Sequence, residues 1–378
     1  MQNLTLYFSD RDFRIDGIEY RRIPIFVRPA SMEIEAWPTE FLIYVALVRG
    51  RSRSHKTWRA YAYAILSYIR FMEGVGISWR QPSEERLAHY RANLEKLGLV
   101  RPTIARNMRR ICFFYEWLFR KGLIATLPFA TEDRDIQSYG MTSHIGKKVT
   151  AKVPALIPPV PKRRRYPRYF NRIEQENLYA LLTERDKLIM EWAIYTGARE
   201  FEIAGLRVDQ LPPQTAYVHR RTYQLPIVGK GGAVGDLHVP TWLMNRTHQY
   251  VKFFGRAENV RKWKKQGYVI PPEIFISRLV TPLQPDSIYR AFKDSLKAAE
   301  LTGTFHAFRH TYAISTLHKL MGTDKNKGTD GLAAIDDLKY LMRHESITST
   351  TRYLEAWRFY ETEIYSDLFE IPERYLHA

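Results

Sequence analysis

The chain has 378 residues, of which 45% are hydrophobic and 26% are charged, and its formal net charge is +18 at pH 7. This length exceeds one usual domain, so the sequence predicts two domains that each bury a core. The charge favours a polyanionic partner over a neutral substrate. Nucleic acid is the first candidate for this partner, and a membrane surface or a ribosome is the alternative. The single cysteine, Cys112, excludes an internal disulfide and a thiolate metal cluster. We see no signal segment and no apolar run that would span a bilayer, which predicts a cytoplasmic protein without membrane contact.

The first predicted segment covers residues 1–34. Apolar and charged positions alternate around turn signals at 13–20, which predicts a short hairpin that serves as an arm or a clasp. From about Pro38 the apolar positions recur at helical spacing in four blocks that end near Leu118. We therefore predict a four-helix domain over residues 35–130.

Basic residues cluster at the edges of these predicted helices. A solvated helix surface is the better interpretation for any one of them, but clusters this dense and poor in acids favour contact with phosphates. The candidate DNA-binding residues here are Arg51, Arg53, Lys56, Arg106, Arg109 and Arg110.

Residues 131–170 are rich in proline and show little hydrophobic periodicity, which predicts an extended linker between the domains. The linker contains the basic run Lys162, Arg163, Arg164 and Arg165. We interpret this run as further DNA-binding residues that follow a duplex backbone; a nuclear-localisation signal is the alternative.

The second domain is predicted over residues 171–378 and is mainly helical. Strand-like pieces at 216–219 and 223–228 precede a glycine-rich turn, and a further piece follows at 237–240. This pattern predicts a small antiparallel sheet with Lys230 at the tip of a hairpin. The predicted fold class is therefore mainly α, with a helical N-terminal domain and an α+β C-terminal domain.

A glycine turn between two predicted helices presents Arg199 at a helix start, where backbone amides can help it bind an anion. Glu202, three residues later, is predicted as a buried partner that orients a guanidinium. An ordinary surface ion pair between these two residues is the alternative.

Further along the chain, His306 and Arg309 are three residues apart, so both can address one phosphate from one helical face. His310 is predicted to lie on a different face. His344 and Tyr353 follow at a separation of nine residues; a packing role is the alternative for this tyrosine. Two arginines can clamp phosphate oxygens, a lysine and two histidines can move protons, and a tyrosine can attack phosphorus.

Taken together, this ordered set resembles the tyrosine recombinase (phage integrase-like) family over about residues 171–360, and the N-terminal bundle resembles the family's core-binding domain. The resemblance implies that Tyr353 is the nucleophile that forms a 3′-phosphotyrosine bond, that Arg199 and Arg309 clamp the phosphate, and that Lys230 protonates the leaving 5′-oxygen. His306 and His344 complete the pocket, with His306 preferred as the base for the tyrosine.

The reaction implied by the resemblance needs no cofactor and no metal, because two guanidiniums and a lysine supply the positive field. Double-stranded DNA is the implied partner. The resemblance further implies that a homo-oligomer binds it as a tetrameric synapse, in which the apolar tail after Tyr353 exchanges between protomers. Packing of the tail on its own domain is the alternative. We expect integration, excision or transposition of a mobile genetic element; a type IB topoisomerase-like enzyme and a catalytically silent DNA-binding regulator are the rivals.

Two features depart from the family pattern. The family usually has Leu-Gly before the box histidine, where this chain has Met342 and Arg343. A polar, glycine-bearing insertion at about 321–331 is longer than the family's usual connection, and we predict an exposed loop there.

Overall fold

The computed structural model describes residues 4–10, 12–15, 17–49, 54–138, 147–160, 166–229, 232–321, 331–344 and 346–369. The chain divides into two compact units, Met1–Arg163 and Arg164–Ala378, and each is presented by itself. Several predicted features lie outside the described residues: Arg51, Arg53, the basic run at 162–165, Lys230, most of the insertion and the end of the tail.

The first unit opens with five short strands: β1 (Thr5–Phe8), β2 (Arg14–Ile15), β3 (Ile18–Glu19), β4 (Pro24–Arg28) and β5 (Glu33–Ile34). Strands β1, β4 and β5 form an antiparallel sheet, and β2 pairs with β3 at the predicted hairpin. Leu4, Ile23 and Phe26 from this segment are fully buried in the helical core. The segment is therefore part of the first unit's core.

The helices of the first unit are α1 (Ala36–Ile43), α2 (His55–Gly74), α3 (Glu84–Lys96) and α4 (Arg101–Arg120), with a π-helical turn at Tyr44–Val48. Helix α3 begins where the Ser83 hydroxyl accepts a hydrogen bond from the amide of Arg86, since an N-cap satisfies an otherwise unpaired donor. The Phe41 ring is fully buried and meets four aromatic rings edge-on. The predicted four-helix domain is confirmed.

Two further strands follow, β6 (Thr131–Ser138) and β7 (Lys147–Pro154), which pair antiparallel with Thr131 opposite Pro154. An extended linker was the expectation for these residues, and in this part it is wrong. The hairpin needs no hydrophobic periodicity, because main-chain hydrogen bonds and cross-strand pairs such as Asp133 opposite Lys152 hold it together.

The second unit is mainly helical. Its elements are α5 (Arg172–Leu181), α6 (Glu184–Thr196), α7 (Glu200–Ala204), β8 (Thr222–Val228), β9 (Val234–Pro240), α8 (Thr241–Lys252), α9 (Arg256–Lys264), α10 (Pro285–Ala298), α11 (His306–Met321), α12 (Gly331–Met342) and α13 (Thr348–Phe369). Residues Gln214–Ala216 form a 3₁₀ turn, so the strand expected at 216–219 is wrong. Strands β8 and β9 pair antiparallel as expected, with Val228 opposite Val234.

Helix α11 lies at the centre of the second unit and packs against α6, α12 and α13. Helix α6 ends at Gly197, whose φ of +64° suits glycine. A Cβ at this position would overlap the Tyr312 ring of α11, so glycine also permits the close approach of the two helices. This turn directs the chain into α7, with Arg199 as the N-cap residue that precedes the helix.

Among the helices that the structure describes, none is both long and apolar enough to cross a bilayer.

Candidate active site

The guanidinium of Arg309 joins two helix ends in the middle of the second unit. The residue is only 2% exposed, and it donates hydrogen bonds to the carbonyl oxygens of Gly197 and Met342. Burial and the neighbouring Arg199 lower the pKa of Arg309 to about 9, so it is still a cation at neutral pH. The end of α6 and the end of α12 are thereby held around one buried positive charge.

Glu202 is the one carboxylate that the described structure places among these arginines. Its side chain is fully buried; Oε2 accepts from the Arg199 amide and Oε1 accepts from Arg199 Nη1, both at 2.8 Å. Arg343 Nη2 donates to Oε2, also at 2.8 Å. Burial alone would raise the pKa of Glu202, but Arg343 and Arg199 outweigh it and lower the pKa below its ordinary value. Glu202 is therefore placed to orient the guanidinium of Arg199, as its predicted role requires. It also holds a second arginine, Arg343, that we did not expect.

Tyr353 is fully buried in the cluster formed by α11, α12 and α13. Its hydroxyl lies 2.9 Å from Nδ1 of His310 and accepts a longer contact, 3.4 Å, from Nη2 of Arg352. The ring of His344 lies parallel to the tyrosine ring, with 6.2 Å between centroids. Tyr353, the predicted nucleophile, thus lies in the same pocket as Arg309, His310 and His344.

Three histidines line this pocket in their neutral form. Burial, with help from the nearby arginines, lowers the pKa of His306 to about 4 and that of His344 to about 3. Burial and then the neighbouring His306 lower the pKa of His310 to about 3. Nδ1 of His344 is 2.9 Å from the Thr350 hydroxyl, which fixes the orientation of its ring. At neutral pH each imidazole can therefore accept one proton or donate one hydrogen bond.

The structure corrects the sequence interpretation of His310. Its ring centroid lies 4.6 Å from that of His306, so the two histidines share a helical face, because residues four apart on a helix are neighbours. The expectation that His310 lies elsewhere is wrong. Of these two histidines, His310 makes the hydrogen bond to Tyr353, which was expected of His306.

The expected DNA-binding residues of the first unit fall into two groups within the described part of the chain. Lys56, Arg106 and Arg109 are exposed. Arg110 is half-buried: its guanidinium lies 5.6 Å from the centroid of the Tyr61 ring and donates to Asn107. Arg110 therefore contributes to packing, whereas the other three present charge at the surface.

Sequence reasoning missed three residues that touch the pocket: His310, Arg343 and Arg352. The four-residue step from His306 was the signal for His310, and the arginine at a family glycine position was the signal for Arg343. No group of three His, Cys, Asp or Glu side chains within the described ranges is placed to hold a metal ion.

The sequence was then compared with models of protein families. The model of the phage integrase family matches residues 168–357, and the model of the phage integrase N-terminal SAM-like domain matches residues 39–122. The first match spans the second unit from before α5 to within α13, and the second spans the helices of the first unit.

Curated relatives and solved structures agree with these matches. The chain is 26% identical over 332 residues to the tyrosine recombinase XerC of Listeria welshimeri, covering 83% of this chain and 91% of that protein. It is 22% identical over 343 residues to XerC of Halalkalibacterium halodurans, covering 88% and 98%. The fold resembles XerH bound to palindromic difH in a post-cleavage complex, with a TM-score of 0.55, 14% identity and coverage of 82% and 79%. It also resembles a lambda integrase dimer bound to a COC′ core site, with a TM-score of 0.54, 16% identity and coverage of 85% and 77%. The chain therefore belongs to the phage integrase family of tyrosine-type recombinases.

Proposed function

We propose that this chain cleaves and rejoins double-stranded DNA at a specific site through a 3′-phosphotyrosine intermediate formed by Tyr353. The observation that carries the proposal is the hydrogen bond between the Tyr353 hydroxyl and a neutral histidine, in the pocket that holds the buried guanidinium of Arg309. A phenol next to a neutral imidazole has an acceptor for its proton, and a bound phosphodiester anion would raise the low pKa of His310 toward the range of a useful base. The arginine has the charge that a phosphodiester needs.

In the proposed reaction the phenol oxygen of Tyr353 forms a bond to phosphorus while the bond from phosphorus to the 5′-oxygen breaks. The phenol proton passes to Nδ1 of His310, which is 2.9 Å away. Lys230 supplies the proton that the 5′-oxygen takes up. The product retains the phosphodiester's energy in the phosphotyrosine bond, so a 5′-hydroxyl from another strand can reverse the step without ATP.

Arg199 and Arg309 are proposed to hold the two non-bridging oxygens. The Arg199 side chain is 23% exposed, and its guanidinium is held by Glu202 through Nη1. Neutral His306 and His344 can each donate one hydrogen bond to the same oxygens. Preorganised donors of this kind stabilise the charge that builds up on the transferring group.

Tyr353 has no exposed surface. A phosphorus atom can reach its hydroxyl only if the α13 segment or the tyrosine side chain moves. We propose that binding of DNA and assembly of a homotetrameric synapse, with exchange of the tail beyond Tyr353, provide this movement. Such coupling would confine cleavage to assembled complexes.

For the biological use, we propose integration, excision or transposition of a mobile genetic element. The family to which the chain belongs supports this proposal. Lys56, Arg106 and Arg109 are exposed and can contact phosphates, which would make binding fall steeply with salt.

The test is incubation with a nicked suicide duplex that carries the flanking DNA of the native locus, in EDTA, followed by a denaturing gel and peptide mapping. The native chain should form a covalent adduct at Tyr353, and Tyr353→Phe should bind the duplex equally well but form none. Tyr360→Phe is the matched control, because this tyrosine lies on the same helix and its ring packs at a tilt against that of Tyr169. An adduct with Tyr353→Phe would mean another nucleophile.

Two further outcomes separate the rivals. Relaxation of supercoiled DNA without strand exchange between two duplexes would favour a type IB topoisomerase-like enzyme. Tight, salt-sensitive binding without any adduct would favour a catalytically silent DNA-binding regulator.

A further inference from the structure

Arg343 adopts a backbone conformation that normally belongs to glycine. It directly follows α12 with a φ of +52°. Its amide donates to Tyr340 O, and the amide of the next residue donates to Lys339 O, which is the hydrogen-bond pattern of a Schellman helix end. A side chain in this left-handed region brings Cβ close to a carbonyl oxygen, so glycine is favoured here. An arginine at this position needs a compensating role for its side chain.

The side chain of Arg343 connects three parts of the second unit. Nη2 donates to Oε2 of Glu202 at 2.8 Å, and Nη1 lies 3.5 Å from the carbonyl oxygen of Asp236 in β9. A Cβ built on Gly235 would stand 3.1 Å from Cδ of Arg343, so the aliphatic stem lies directly against the β9 backbone. The end of α12, the start of α7 and the β8–β9 hairpin meet at this one side chain, which is 13% exposed.

The charge on Arg343 changes what Glu202 does to Arg199. If Arg199 were its only cationic partner, the buried carboxylate would neutralise the guanidinium that the phosphate needs. With Arg343 on Oε2, three guanidiniums, those of Arg199, Arg309 and Arg343, surround a single carboxylate. Attack of a phenolate on a phosphodiester builds up a second negative charge, and this surplus of positive charge matches it.

We propose that Arg343 is a positioning residue for the phosphate clamp. It donates to Oε2 of Glu202, the oxygen that also accepts from the Arg199 amide, and it ties the β8–β9 hairpin to the end of α12. Arg343 acts through Glu202 and Arg199 and does not itself contact the substrate. This inference rests on the proposed cleavage chemistry.

The main test is Arg343→Gly in single-turnover cleavage of two suicide duplexes, one with a normal scissile phosphodiester and one with a neutral methylphosphonate there. Glycine suits a φ of +52°, so the variant should fold, which circular dichroism and a thermal melt will show. We expect cleavage of the phosphodiester to fall about 10- to 100-fold, because the clamp is misplaced, and cleavage of the methylphosphonate to fall much less. Arg343→Lys keeps the charge but not the planar fork and should lie between the two. Equal losses on both duplexes, or no loss, would overturn the proposal.

Gly235→Ala approaches the same contact from the hairpin. The added methyl group would push on Cδ of Arg343 and should reproduce the preference for the methylphosphonate. Val234→Ala is the matched control: this neighbouring side chain is 79% exposed and should leave both rates unchanged. Combined with Arg343→Gly, the Gly235→Ala change should have no further effect, since its collision partner is gone. A full additional loss in the double variant would contradict the contact.

A measurement that does not depend on cleavage separates this inference from the proposed function. Inorganic phosphate at constant ionic strength should raise the thermal midpoint of the native chain, and Arg309→Met should abolish that rise. Arg343→Gly should weaken the apparent affinity for phosphate about tenfold, because Glu202 then draws more strongly on Arg199 and the charged contact of Arg199 to the phosphate is misplaced. Unchanged affinity would refute the role of Arg343 even if the chain cleaves DNA. Weakened affinity in a chain that forms no adduct would support this role and refute the proposed function.

Discussion

Replacing Glu202 with glutamine tests whether one buried carboxylate holds the arginines of the pocket together. The carboxylate accepts three hydrogen bonds, from the Arg199 amide, from Arg199 Nη1 and from Arg343 Nη2. The glutamine amide has the same size but only one oxygen. Its NH₂ group replaces the other oxygen and faces an N–H donor, so at least one of the three hydrogen bonds is lost. The substitution also leaves the guanidiniums of Arg199, Arg309 and Arg343 without a counter-charge.

The expected loss of stability follows from the burial of this group, whose side chain has no exposed surface. Removing one partner of a buried ion pair costs about 3–5 kcal/mol, because it leaves uncompensated charge in a medium of low polarity. The glutamine oxygen recovers part of this, so we expect a loss of about 3 kcal/mol. In a unit of this size each kcal/mol lowers the midpoint by about 2–4 °C, so the melting transition of the second unit should fall by about 6–12 °C.

Differential scanning calorimetry of the full chain is the assay, with Glu176→Gln as the matched control. Glu176 also pairs with an arginine, Arg172, at 3.0 Å, but its side chain is 42% exposed. A surface pair contributes at most about 1 kcal/mol, so the control should lower the midpoint by less than about 4 °C. Equal shifts for the two variants would refute the reasoning, since burial of Glu202 would then have no energetic consequence.

Two further predictions concern proton transfer and pH. Lys230→Ala should slow cleavage of a normal duplex about 10²-fold or more, as expected for loss of a general acid. The same variant should cleave a 5′-phosphorothiolate duplex at the native rate, because sulfur leaves without protonation. Lack of rescue would remove Lys230 from the acid role. The pocket histidines have a pKa of about 3 to 4 in the folded chain and about 6.5 when unfolded. As the pH falls below about 6.5 the unfolded chain takes up protons that the folded pocket does not, so stability is complete above that pH and declines toward pH 4. Urea unfolding from pH 8 to pH 4.5 should show this decline and a shallower one for His344→Asn, and identical slopes would argue against burial of neutral His344.

The sequence signals on which the predicted pocket rests are short. Arg199 and Glu202 are one helical turn apart, as are His306 and Arg309, and such spacing determines local geometry before any long-range contact forms. The four-helix domain of the first unit was equally predictable, since helical periodicity alone defines it. The β6–β7 hairpin was missed because β6 is almost entirely polar, so the alternation of Val149, Ala151 and Val153 in β7 had no matching pattern in a partner strand.

The sequence by itself determined which side chains are available and in what order, and the proposed phosphoryl transfer to Tyr353 starts from that set. Only the tertiary structure decided that His310 contacts Tyr353, that Arg343 pairs with Glu202, and that Tyr353 is buried. These contacts join residues 43 and 141 positions apart in the first two cases. Such contacts depend on how α6, α11, α12 and α13 pack. Packing depends on whether side chains from distant parts of the chain fit together, and the spacing of residues along one helix does not specify that fit.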